Sequence, residues 1–317
     1  MLSFSNGSVD WSLYLQYQAA NSHSFKYLFE PLELILTLST YDGEARCVNL
    51  CFLQVESGSP TGLYTELEAA SSAGQYDQVV TLLSQGQAHG AAYLQSSLDA
   101  AARNGHANIV SLLLSKGAEH NRDTLRAAIA SNSIPVFQSL LDAGWDPSFG
   151  LGHSGTALTR AIIEDKPELV TFLLKHGADP YDTSRSLSAL AQAAAHSSTN
   201  VAGILLDHGV QLNQSGALET AAYHGQLDTL GFFLDRGADI NEITDNDWTG
   251  PSEREAGLGT ALHVAATRGQ KEAVTLLLER GADPSLKDTK GKTVLQKAGE
   301  SGHEEIVELL RKRGISE

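Results

Sequence analysis

The residue types best suited to chemistry in this chain are its eleven histidines and its two cysteines, set among thirty-eight carboxylates. Histidine changes charge near neutrality and serves as acid, base or metal ligand. Cys47 and Cys51, in "CVNLC", stand at a spacing that could in principle bind a metal, but no second pair completes a site. They read instead as small buried residues on a hairpin, and no metal or other cofactor is expected. The chain carries no phosphate-cradling GxxxxGKS loop, no nucleophile elbow, no HExxH and no paired CxxC. Any chemistry must therefore come from residues that the fold gathers from distant stretches. The elements that would gather them recur along the chain.

The stretch "TALHVAATRGQKEAVTLLLERGADPSLKD" (260–288) reads as two short amphipathic helices, each stopped by a glycine, followed by a polar turn. Glycine closes the second helix at Gly86, Gly117, Gly144, Gly177, Gly209, Gly237, Gly281 and Gly314. Twelve residues before each stands the residue that closes the first helix: Gly74, Gly105, Asn132, Asp165, Ser197, Gly225, Gly269 and Gly302. Seven residues earlier again there is always a leucine: Leu67, Leu98, Leu125, Leu158, Leu190, Leu218, Leu262 and Leu295. Glycine enters the left-handed backbone region that ends a helix without a Cβ clash; Asn and Asp tolerate it next best, and Ser197 fits poorly. Thr260 stands where its hydroxyl can cap the helix that follows. His176 and His208 precede closing glycines, where positive charge suits a helix end. A unit this small exposes apolar surface on both flanks, so copies must stack to bury it.

The "TALHVAATRG" core, the "LLLERGADP" ending and the period of about 33 residues resemble the ankyrin repeat. The resemblance covers residues 63–317 as an ankyrin repeat domain of about eight helix-turn-helix repeats, and implies an all-α solenoid with finger-like turns and a concave inner face. Residues 1–62 form a non-repeat amino-terminal extension. Within it "ELILTLSTYDGEARCVNLCFLQV" suggests a β-hairpin about Tyr41-Asp42-Gly43, "DWSLYLQYQ" a short helix, and "ESGSPTG" (56–62) a linker. Repeats closing at Gly144 and Gly237 are short and should have tight fingers. The unit closing at Gly281 is long, and its excess is a polar insertion loop, 242–257, that carries Trp248. In the last repeat, Glu304 and Glu305 and then Arg311, Lys312 and Arg313 suit the two ends of a terminal helix.

The resemblance also assigns the histidines structural posts. His106 and His303 would help start the second helix, and His263 would tie adjacent turns. It further implies that partners are met by the two residues before each first-helix closer and by the finger tips. Those candidates are Arg103, Asn104, Glu164, His196, Tyr223, His224, Thr267, Arg268 and Glu300, with Lys290, Lys292 and Trp248 on fingers and insertion. Three readings of this row stay open. It recognises a protein segment; or His196, His224, Tyr223 and Glu164 line a small-molecule pocket and do acid–base work; or it is a solvated face. The first is the expectation, a non-catalytic scaffold or adaptor.

A formal net charge of −16 opposes binding to nucleic acid and to anionic membranes, and suits a basic or neutral protein partner. The longest apolar stretch, "LELILTL" (32–38), is too short to span a bilayer. Two cysteines make no disulfide framework, so a reducing compartment is expected, cytoplasmic with the nucleus as an alternative. A monomer is expected.

Overall fold

Each helix pair from residue 91 to residue 316 ends twice in a left-handed residue, and those stops set where the elements begin. The computed structural model describes residues 34–41, 44–52, 60–85, 91–152, 155–181, 187–245 and 257–316. The chain divides into two compact units, residues 1–70 with 77–89, and residues 71–76 with 90–317. In the first, β1 (Leu34–Tyr41) and β2 (Glu44–Phe52) pair antiparallel, Leu34 opposite Phe52, with an irregularity between Thr37 and Leu38. The short helix expected at 10–18, Gly86, the Asp42-Gly43 turn and the side chains of Cys47 and Cys51 lie outside what is described. Residues 60–62, read from sequence as linker, instead form the first turn of α1 (Pro60–Ser72), because proline's fixed φ suits a helix start. The helix α2 (Tyr76–Gln85) follows.

In the second unit the pairs are α3 (Ala91–Arg103) and α4 (Ala107–Ser115), α5 (Arg122–Ser131) and α6 (Ile134–Asp142), and α7 (Ala157–Ile163) and α8 (Pro167–Lys175). They continue with α9 (Ala189–Ala195) and α10 (Thr199–Asp207), and α11 (Ala217–His224) and α12 (Leu227–Asp235). The last are α13 (Ala261–Thr267) and α14 (Lys271–Glu279), and α15 (Val294–Glu300) and α16 (Glu304–Lys312). Odd-numbered inner helices pack on the next odd-numbered helix and even-numbered outer helices on the next even-numbered one, without a break from α3 to α16. This is the helical stack the resemblance implies. The recurrent leucines are its seam, each buried to at least 95%.

The left-handed stops stand where the spacing places them. The first-helix closers have φ from +50° at Asp165 to +77° at Gly105, with Asn132 at +52° and Ser197 at +60°. At Gly105 the backbone N–H of His106 reaches back to the carbonyl of Ala101 at 2.9 Å, which satisfies an otherwise orphaned group. Asn121, Thr156, Ser188 and Thr293 cap inner helices through their side chains. Thr260 does not: its hydroxyl bonds to His263 Nδ1 at 2.9 Å and makes no cap bond to the helix amides.

The two histidines after inner-helix stops have a different task from the one the resemblance assigned, whereas Ser198 in the same position caps its own helix through its side chain. His106 and His303 make no side-chain cap to their own helices. Each ring instead meets, through Nε2, a carbonyl near the end of the preceding inner helix, Ser72 and Thr267, both at 3.0 Å. Gln270 does the same to Tyr223, and Lys166 to Ile129. The last carbonyls of a helix have no partner within it, and here the following repeat supplies the donor. On the outer face Arg236 meets Asp207, Arg280 meets Asp235 and Arg313 meets Glu279, at 3.2, 2.7 and 3.7 Å. These exposed pairs contribute little.

The stability should therefore sit in the seam. Leu190→Ala should cost about 2–5 kcal/mol in chemical denaturation, and Arg280→Ala no more than about 1 kcal/mol. Ser197→Gly should stabilise by about 0.5–1 kcal/mol, because glycine accepts φ +60° without the Cβ clash. Equal losses for the leucine and the arginine would contradict this assignment.

Candidate functional site

Where inner-helix side chains are small, the packed face leaves room. The helix α9 is "ALAQAAA", and Gly216, Gly257 and Gly259 flank the next two inner helices. Between α9, α11 and α13 lies a cavity of about 500 Å³. Its apolar walls come from Leu187 and Ala191 on one side and Leu258 and Val264 on the other; Glu219, Thr220, Tyr223 and His224 enter from α11, and His263, Thr267 and Arg268 from α13. Thr244 and Gly257, at the two ends of the insertion, also line it, as does Lys297 of α15. Gly259 is required where it stands: a Cβ there would lie 2.6 Å from the Cβ of His263.

Tyr223 is 39% exposed, and the Arg268 guanidinium lies over its ring, 3.8 Å from the centroid. The neighbouring His224 ring is 4.9 Å from that of Tyr223. Thr267 turns its hydroxyl onto the carbonyl of His263, 2.8 Å away. Four of the sequence candidates, Tyr223, His224, Thr267 and Arg268, thus share one cavity.

The others do not join them. His196 is exposed at the end of α9 and is not among the lining residues. Glu164 is two inner helices away from α11, held by Arg160 and by Lys166 at 2.9 Å. Burial alone would raise its pKa, but Lys166 and Arg160 outweigh this and hold it below the usual carboxylate range. Such a carboxylate is a poor proton donor or acceptor near neutrality. The four residues of the acid–base reading are therefore not brought together. Arg103 and Asn104 are exposed at the end of α3, and Asn104 bonds back to Ala100 O and Ser72 Oγ. Lys292 pairs with Glu300 at 2.6 Å beside a second cavity of about 390 Å³ at the last repeat. Lys290 is exposed on the finger, its N–H donating to Asp288 Oδ1. Trp248 and residues 246–256 lie outside what is described.

Glu219 is a lining residue that composition and pair position did not single out. The register does single it out, because it follows the recurrent leucine, as Asp99, Thr159 and His263 do in other repeats. From that position Asp99 accepts from Thr124 of the next repeat at 2.6 Å, while Thr159 meets Thr156 of its own. At His263, burial lowers the pKa against a nearby Asp288, so the ring is neutral. At Glu219 a carboxylate replaces the imidazole: its Oε1 accepts from Thr244 Oγ1 at 2.6 Å and from Thr244 N at 3.2 Å. Burial raises its pKa above the usual carboxylate range, the Thr244 hydroxyl opposes this, and Glu242 adds to the rise.

Against known proteins, residues 98–184, 158–244 and 218–316 match the family model for ankyrin repeats, which together is more than half of the chain. The probable E3 ubiquitin-protein ligase XBOS33 of Oryza sativa subsp. japonica is 46% identical over 54 residues, 17% of this chain and 10% of that protein. The protein phosphatase 1 regulatory subunit 12A of Mus musculus is 46% identical over 52 residues, 16% of this chain and 5% of that protein. The B-cell lymphoma 3 protein homolog of Mus musculus is 31% identical over 163 residues, 51% of this chain and 29% of that protein. The chain thus spans less than a third of the length of each. Among the described residues, no helix is long and apolar enough to cross a membrane.

The raised pKa of Glu219 has a measurable sign. Its folded value exceeds its unfolded value, so the protonated form favours the fold; that contribution is complete below about pH 4 and is lost as pH rises through the folded value. Glu219→Gln keeps an acceptor for Thr244 and removes the charge. Its unfolding midpoint at pH 7 should exceed the parent's, and the two should converge near pH 4. A variant less stable than the parent at pH 7 would contradict the assignment.

Proposed function

The chain belongs to the ankyrin-repeat family, whose repeats in general serve protein–protein interaction, and from that premise we propose that it is a non-catalytic adaptor. It binds a segment of a partner protein along the inner helices α9, α11 and α13 and the fingers beside them, acting as a monomer in the cytoplasm. The observation that carries this reading is the Tyr223–Arg268 stack at the mouth of the cavity. Tyrosine and arginine are the side chains on which interfaces most often depend. Here each fixes the other before a partner arrives, which lowers the ordering entropy lost on binding. The net charge of −16 favours a basic or neutral partner. The activities named for the relatives are not carried over, since the matched stretches are small parts of those proteins.

A second reading, binding of a small molecule in the same place, is favoured by the size of the cavity, since about 500 Å³ falls in the range of ligand pockets. Catalysis through Glu164, His196, Tyr223 and His224 together has no such support, given their separation.

Affinity purification from cell lysate with the full chain tests the first reading. The double variant Tyr223→Ala/Arg268→Ala should lose specific partners, with affinity falling about tenfold or more. Glu168→Ala/Glu272→Ala, on outer helices α8 and α14, should retain them. Retention by the first pair and loss by the second would move the binding surface to the outer face.

A further inference from the structure

Among the described residues, the cavity between α9, α11 and α13 holds two groups that packing does not account for: the carboxyl of Glu219, and His263 Nε2, which is buried without a hydrogen-bond partner. Glu219 presents a half-buried carboxyl to it, yet no lysine or arginine is paired with that carboxyl. The other charged groups about the cavity are engaged or distant in function. Arg268 lies over the Tyr223 ring, Lys297 is 3.6 Å from Asp288 Oδ2, and Glu242, bonded to Gln214, adds negative charge. His263 is bonded to Thr260. Tyr223 follows Glu219 by one helical turn and so lies on the same face of α11. The cavity therefore offers apolar sides, an aromatic ring at the mouth and an uncompensated carboxyl in the wall.

We propose that this cavity admits an arginine side chain from an extended segment of the partner protein, with its methylene stem between Ala191 and Val264 and its guanidinium against Glu219. The inference deepens the recognition reading and rests on it. Arginine fits better than lysine because its guanidinium is planar, weakly hydrated and able to donate to a carboxylate while lying against a ring. Thr244 occupies Oε1, which leaves Oε2 to accept from the incoming group. Burial has lifted the pKa of Glu219, and an arriving cation would bring it back down, so binding and ionisation reinforce each other. A volume of about 500 Å³ leaves room for the backbone on either side of the arginine.

The test is an NMR titration of the full isotope-labelled chain with N-acetyl-arginine-N-methylamide, alongside the citrulline and glutamate equivalents. The arginine probe should shift the amides of Glu219, Tyr223, Thr244 and Val264 and saturate. Citrulline, the same size without the charge, should bind about tenfold more weakly, and Glu219→Gln should bring the two to parity. Equal binding of citrulline, preference for glutamate, or arginine shifts that map elsewhere would each overturn the proposal. If those results occur while the Tyr223→Ala/Arg268→Ala variant still loses its partners, recognition at this face stands and the arginine assignment alone falls.

Discussion

A pair of helices seven to thirteen residues long cannot cover its own apolar flanks, and the architecture of the second unit follows from that shortage. Each inner helix leans on the next inner helix and each outer helix on the next outer one. The seam is built from leucines in fixed register, and every stop is a left-handed residue that turns the chain back into the stack. The polar backbone obeys the same constraint. The last carbonyls of inner helices lack partners of their own, and His106, Lys166, Gln270 and His303 supply them from the following repeat. Neighbours thus complete one another in both apolar area and hydrogen bonding.

The cavity is a local relaxation of that rule. Where α9 carries mostly alanine and the flanking turns carry glycine, adjacent inner helices meet without filling the space before them. In the same place the residue after the leucine, a neutral imidazole in α13, becomes the carboxyl of Glu219, whose charge the fold disfavours. A site that gives up packing and keeps a desolvated carboxyl sacrifices stability locally while the leucine seam beneath it stays intact. This is the pattern expected of a surface kept ready for a partner.

Much of this was legible before any coordinates. Among the described residues the twelve- and seven-residue registers mark the helix stops and the seam leucines, because backbone handedness and burial leave residue-type signatures. The left-handed posts of Asn132, Asp165 and Ser197 followed from the same spacing. What spacing could not show was direction. Whether His106 turns onto its own helix or back to Ser72 depends on where the preceding repeat ends in space. Thr260 fits a cap by type, yet His263 is nearer to its hydroxyl. Likewise Glu164 and His196 sit in the same register as His224, but Arg160 and Lys166 claim the first, and the cavity opens beyond the second. Glu219 was readable in principle, as a carboxylate in the position after the recurrent leucine, from which Asp99 meets Thr124 of the next repeat.

The central claim is that the second unit is held together by contacts between adjacent repeats. Excising residues 178–209, one period, tests it directly, because the cut lets Gly177 take the place of Gly209 before Val210 and keeps every register downstream. Circular dichroism with thermal unfolding is the measurement. The account predicts a chain that keeps its helicity per residue and unfolds cooperatively at a lower midpoint. Collapse of the helical signal in the shortened chain would contradict it, because it would mean that the helices depend on a shared centre rather than on their neighbours.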